Sequence, residues 1–250
     1  MFRPEVLDRA VKGLALVAHP VWMPLYINGL AWSAGLPALE AYPPQVFRWF
    51  TAAVALMAVV LPLLSLLWMK RVGMISSLEV PEAGQRRSPY TVQALCLGGL
   101  WWMLADLNLS PWLTRPLLSS LVLVLWALVW LERTKVSAHA MGMGALTAAT
   151  ACLYRQGANW GWEVIALGGW EAIALGGWEA SAVGGWSPSG WSLSGWSPSA
   201  FLVPAAVLLS GLVVAGRLRS GAHTPAELLH GWGAGLLAMG LGLWGLGPTD

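Results

Sequence analysis

The chain has 250 residues, of which 57% are hydrophobic and 10% charged, with a formal net charge of +2. A soluble domain carries roughly 25% charged residues, so this composition excludes a conventional soluble enzyme and places most of the chain away from water. So small a net charge also excludes a polybasic nucleic-acid binder.

A charged N-terminal segment, residues 1–13, leads into a single transmembrane domain expected over residues 14–250. An apolar run of about 20 residues crosses the hydrocarbon core as a helix, because backbone polar groups in lipid must be bonded within the segment. Seven candidate runs follow: Leu14 to Leu36, Trp49 to Met69, Tyr90 to Leu107, Pro116 to Leu131, Ala138 to Tyr154, Phe201 to Gly216, and Ala226 to Leu246. The expected fold class is therefore all-α, a polytopic transmembrane helical bundle of about six to seven spans. The first run lacks a small-residue cleavage site, so it is expected to be retained. Pro20, Pro24 and Pro62 are expected to kink their spans, with His19 bonding a carbonyl freed by the kink. Cys96 and Cys152 fall in separate apolar runs and give neither a disulfide framework nor a metal spacing.

Seven crossings put the N-terminus, the loop from Lys70 to Pro89, the link from Glu132 to Ser137 and the link from Arg217 to Thr224 on one side. That side carries Arg3, Arg9, Lys12, Lys70, Arg71, Arg86, Arg87, Arg133, Lys135, Arg217 and Arg219, whereas the other has only Arg48, Arg115 and Arg155. The bias of positive charge makes the first side cytoplasmic. Lys70, Arg71, Arg86 and Arg87 are read first as topology determinants that touch anionic headgroups.

Between the fifth and sixth runs the chain changes character. From Gly161 a Gly-Trp-Glu-x-x-Ala-x-Gly unit sets Trp162, Trp170, Trp178 and Trp186 eight residues apart, and Gly185 to Ser199 then repeats Gly-Trp-Ser-x-Ser every five. Eight residues turn a helix by about 80 degrees, so these tryptophans make no helical stripe. The insertion, about residues 157–199, is expected to be a low-complexity segment whose indoles rest at the headgroup level.

Two histidines stand where helices should begin. Thr224, Pro225 and Glu227 form a Thr-Pro-x-Glu capping box, so a helix is expected to start directly after His223. The amides and dipole of a helix start favour a bound anion and disfavour the imidazolium, leaving a neutral nucleophilic ring, and Arg217 can hold a phosphate bidentately. In Lys135-Val136-Ser137-Ala138-His139, Ser137 can cap the fifth helix. Lys135, the Ser137 hydroxyl and the first amides make a second anion site, and His139 can protonate a leaving oxygen. Together the two starts outline a metal-free phosphoryl-transfer site. His230, seven residues after His223 and on roughly the same helix face, is expected to make a hydrogen bond within the bundle rather than to support the site.

These residues resemble a known family. Arg217-x5-His223-x3-Glu227, followed by Gly231 and Gly235, is similar to the third signature of the type 2 phosphatidic acid phosphatase superfamily, Ser-Arg-x5-His-x3-Asp. Val136-Ser137-Ala138-His139 is similar to its second signature, Pro-Ser-Gly-His. The overall pattern most resembles divergent bacterial members, which implies an integral protein of a bacterial inner membrane. The resemblance implies a helical-bundle phosphatase acting on a lipid phosphate or diphosphate through a phosphohistidine, without metal or cofactor. On it His223 is the nucleophile, Glu227 orients that ring, His139 is the general acid, and Arg217 and Ser137 bind phosphate. Glu227 stands for the family Asp, Gly216 for its Ser, and Val136 and Ala138 for its Pro and Gly. The first signature, Lys-x6-Arg-Pro, has no counterpart; Lys135 and Arg87, from Arg86-Arg87-Ser88-Pro89, are the candidate substitutes. Two competing expectations are a catalytically silent relative that binds anionic lipid and an unrelated transporter or structural bundle. His139, His223 and Arg217 must surround one cavity if either phosphate reading is to hold.

Overall fold

The computed structural model describes residues 4–78, 80, 82, 84–131, 133–155 and 199–247. Among them all regular structure is helical: α1 (Pro4–Val17), α2 (Met23–Ser33), α3 (Pro37–Glu40), α4 (Pro44–Val54), α5 (Leu61–Arg71), α6 (Arg87–Ala105), α7 (Pro111–Trp130), α8 (Ala138–Arg155), α9 (Ser199–Arg219) and α10 (Pro225–Leu243). The tryptophan repeats lie outside the described residues as far as residue 198.

Each of the seven apolar runs is helical over most of its length, but four stretches are long and apolar enough to cross a membrane: Arg9–Ser33, Pro44–Arg71, Pro111–Trp130 and Leu202–Arg219. Helices α6, α8 and α10, at 19, 18 and 19 residues, have the length without the hydropathy. Helices α8 and α10 spend their sequence on Gly, Ala, Thr and His, and such residues suit close contact with another helix better than contact with lipid.

Pro20 acts as the local rule requires, whereas Met23 before Pro24 and Leu61 before Pro62 stay helical. Proline disfavours the helical conformation in the residue before it, and His19 is extended at φ −63° and ψ 134°. Helix α1 therefore stops at Val17, a 3₁₀ turn spans Pro20–Trp22, and α2 begins at Met23 with Pro24 in its first turn. His19 does not bond a freed carbonyl; its Nδ1 accepts the Val21 N–H at 3.3 Å and caps the turn. Between α4 and α5 the chain passes through a π-helical stretch, Ala55–Val60. Pro62 offers no N–H to the Ala58 carbonyl four residues back, and Gln93 Nε2 of α6 donates to that oxygen at 3.2 Å.

Helix α8 is the axis of the bundle. Residues Ala140 to Thr150 are buried without a break, covered by α10, α9, α2 and α7. Thr147 and Thr150 donate their hydroxyl hydrogens to the Met143 and Leu146 carbonyls at 2.8 and 3.1 Å, so neither leaves a polar group unbonded in the core. Helices α8 and α10 meet backbone to backbone. A Cβ at Gly235 would overlap the Met141 carbonyl, one at Gly144 would overlap the Trp232 carbonyl, and one at Gly231 would lie 2.7 Å from the Ser137 oxygen. Gly231 and Gly235 thus form a small-x-x-x-small seam that fixes the register of the two helices.

At one end of the bundle the Ser110 amide donates to the Tyr42 hydroxyl at 2.8 Å, the Trp112 indole donates to the Gly247 carbonyl at 2.8 Å, and Arg155 lies over the Trp244 ring at 4.9 Å. The opposite end holds the cavity described below.

The seam sets a mutational test. Gly235→Leu is expected to cost on the order of 3 kcal/mol through backbone overlap, read as a lowered unfolding midpoint of purified protein in detergent. Gly233 faces open space, with nothing within 4 Å of a built Cβ. Gly233→Ala is therefore expected to be neutral or stabilising by up to about 1 kcal/mol. Equal effects of the two substitutions would contradict the seam.

Candidate active site

The link between α9 and α10 is a rigid turn built from two local motifs. Gly221, at φ +64°, closes α9 with paired bonds from the Ala222 N–H to the Arg217 carbonyl (3.2 Å) and from the Gly221 N–H to the Leu218 carbonyl (3.0 Å). Helix α10 opens with the expected capping box: Thr224 Oγ1 accepts the Glu227 N–H at 3.3 Å, and Glu227 Oε2 accepts the Thr224 N–H at 2.9 Å. The five residues between Arg217 and His223 are thus consumed by a helix stop and the approach to a helix start, which holds the two side chains in a fixed relation.

His223 Nδ1 lies 3.2 Å from Glu227 Oε2 and 3.2 Å from the Lys135 carbonyl oxygen. Both partners accept, so Nδ1 carries the hydrogen, and the neutral ring keeps its lone pair on Nε2. Burial lowers the affinity of His223 for a proton, and the nearby Arg217 and Arg86 lower it further, against a smaller opposing pull from Glu227. The ring therefore stays neutral to a lower pH than an ordinary histidine. Lys135 enters the site through its carbonyl.

His139, in the first turn of α8, has Nε2 3.1 Å from the Ala15 carbonyl of α1. That carbonyl fixes a hydrogen on Nε2 and leaves Nδ1 as the nitrogen that can gain and give a proton. His19 packs edge-on against this ring, with centroids 5.2 Å apart and planes at 84°.

His19, His139, Arg217 and His223 line one cavity of about 710 Å³, together with Arg86 and Tyr90. The size is that of a small-molecule site. Its remaining wall is mainly apolar, with Leu14 from α1, Leu63 and Leu67 from α5, and Leu212 from α9. All four segments expected on the cation-rich side reach this end: Val11 of α1 and Val80 of the 70–89 loop line the cavity, Arg86 Nη1 approaches the Val136 carbonyl at 3.4 Å, and His223 meets Lys135.

Three expected ligands do not line the cavity: Lys135, whose contact with His223 is through its backbone carbonyl, Ser137 and Arg87. Ser137 is 0% exposed, its hydroxyl accepts the Ala140 N–H at 3.4 Å, and it does not line the cavity. Gly231 of α10 closes over the start of α8 and leaves the hydroxyl a capping role. Arg87 is exposed and also lies outside the lining; the neighbouring Arg86, 8% exposed, takes that place and donates from Nε to the Val80 carbonyl at 2.8 Å. His230 is exposed on α10. Arg86 belongs to the cationic pair that the sequence offers, in which Arg87 is the expected ligand, and His19 is marked only by the adjacent Pro20. Among the described residues no three His, Cys, Asp or Glu side chains are grouped to hold a metal ion.

The charges around His223 give two opposite expectations for its titration, followed by NMR of ¹⁵N-histidine-labelled protein. Glu227→Gln removes the group that holds the proton on, and the midpoint falls. Arg217→Gln removes a cation, and the midpoint rises towards the ordinary histidine value. Movement of both variants in one direction would contradict the assignment of causes.

No family model, curated protein or solved structure matches the chain.

Proposed function

We propose that the chain is a membrane enzyme that hydrolyses a lipid phosphate or diphosphate, a distant member of the type 2 phosphatidic acid phosphatase superfamily. The observation that carries this reading is the cavity in which a tautomerically fixed His223 is joined by His139, Arg217 and Arg86. In the reaction His223 Nε2 attacks phosphorus, forming the N–P bond as the bond to the leaving oxygen breaks. Arg217 and Arg86 bind the non-bridging oxygens. His139, protonated on Nδ1 and held by Ala15 through Nε2, gives its proton to the leaving oxygen. Neutral His139 then takes a proton from water as that water attacks the phosphohistidine, which releases phosphate and restores both rings. Glu227 and the Lys135 carbonyl hold His223 Nδ1–H and offset the positive charge that develops on the ring.

A lipid is the favoured substrate because the cationic end of the cavity adjoins an apolar wall at the ends of membrane helices. In this reading α6, α8 and α10 cross the bilayer with the four more apolar stretches. The outward Leu229, Leu237, Leu241 and Trp244 near one face of α10, all more than 60% exposed, match hydrocarbon and headgroup rather than water. The excess of positive charge at the cavity end favours a cytoplasmic site, and the family resemblance favours a bacterial inner membrane. The missing first signature and the buried Ser137 favour one second reading, a silent relative that binds the same lipids without turnover.

Purified protein is expected to release phosphate from a panel of lipid phosphates in the presence of a chelator, and His223→Ala to abolish release. His139→Gln is expected to slow it by about 10²- to 10⁴-fold. Because the nucleophile is neutral His223, its share of the rate is present above its lowered pKa and is lost as pH falls through that value. Lipid binding without release by the wild type would select the silent relative, and equal release by His223→Ala would sink the mechanism.

A further inference from the structure

The reaction above gives no role to the third histidine of the cavity. His19 stands at the break between α1 and α2, where Pro20 forces it into an extended conformation and makes it the cap of the following turn. The Val21 N–H that its Nδ1 accepts can only donate, so Nδ1 carries no hydrogen and the ring bears its hydrogen on Nε2. Among the described residues Nε2 has no hydrogen-bond partner, yet it is not one of the polar atoms sealed in the core, so it opens to the cavity that His19 lines.

We propose that His19 is a phosphate-binding residue of this site, a neutral Nε2–H donor to a non-bridging oxygen of the lipid phosphate. The proposal rests on the phosphatase reading and assigns His19 no covalent or proton-transfer step. The groups facing it are His139 from α8, Arg217 from α9, and His223 and Arg86 around the cavity. Protonation of His19 would require breaking the Val21 bond and would set a second imidazolium against His139, whose centroid is 5.2 Å away. Like charges at such separation disfavour each other, so His19 serves as the neutral group beside His139. The bond that spoils His19 as an acid thus suits it as a donor, and it supplies one of the oxygen contacts that the absent first signature leaves open.

The test uses His19→Asn in the full chain, because asparagine keeps an oxygen to cap Val21 and shortens the reach of the N–H. Orthovanadate, which mimics the pentacoordinate phosphorus of the transition state, is the probe. Loss of one hydrogen bond to a charged oxygen predicts a fall of about tenfold to a hundredfold in vanadate affinity and a similar fall in kcat/KM for lipid phosphate. The unfolding midpoint without vanadate and the shape of the pH profile are expected to stay as in the wild type. In ¹⁵N-histidine-labelled wild type, vanadate should shift the His19 Nε2–H resonance while Nδ1 stays unprotonated. That measurement needs no variant. Unchanged vanadate affinity, an unshifted resonance, or a lost limb of the pH profile would each overturn the role of His19. A wild type that neither binds vanadate nor releases phosphate would overturn the phosphatase reading with it, whereas an active wild type matched by His19→Asn overturns only the present proposal.

Discussion

The backbone contact between α8 and α10 is the constraint on which the site depends. Gly231 and Gly235 of α10 lie against the Ser137 and Met141 carbonyls, and Gly144 of α8 lies against the Trp232 carbonyl. At that separation the two helices have little freedom to slide or rotate, because any displacement drives carbonyl oxygen into backbone. The two helix starts are therefore brought to the same level, and with them the Lys135 carbonyl and His223 Nδ1. A pair of helices separated by leucines would place those atoms less exactly, since side chains repack and backbones do not.

What the seam sets in place, the turn from Arg217 to Glu227 refines. Its two ends are both satisfied internally, by the glycine stop at Gly221 and the capping box at Thr224, so little of its backbone bonding depends on neighbours. Glu227 serves twice: one carboxylate oxygen accepts the Thr224 amide and also faces His223 Nδ1. The structural and chemical roles of Glu227 are therefore not alternatives. The geometry that closes the capping box aims the carboxylate at the ring, and the ring is thereby held in the tautomer that leaves Nε2 basic.

Features set by neighbours in sequence were legible before the structure. The capping box, the helix starts at Ala138 and Pro225, and the break at Pro20 each follow from contacts within four residues. Features set by distant packing were not. Ser137 reads correctly as a cap, but its occlusion depends on Gly231 on another helix. Arg86 and Arg87 are equivalent in composition; the 3₁₀ turn Gly84–Arg86 and the carbonyls of Val80 and Val136 decide which one faces the cavity. Hydropathy likewise separates α2, α5, α7 and α9 from α8, because it measures fitness for lipid, and a helix ringed by other helices is under no such demand.

The three histidines show how one side chain can be given three chemistries without change of residue. Each ring has one nitrogen committed to the protein and one left for a ligand, and the identity of the committed partner decides what the other nitrogen can do. At His223 two acceptors hold Nδ1–H and leave a lone pair. At His139 a carbonyl holds Nε2–H and leaves a nitrogen that can be protonated while that bond persists. At His19 a backbone donor occupies Nδ1 and leaves an N–H that cannot charge without breaking its anchor. Nucleophile, acid and neutral donor are the roles these bonds permit, and the proposed phosphoryl transfer would use each of them around one phosphorus.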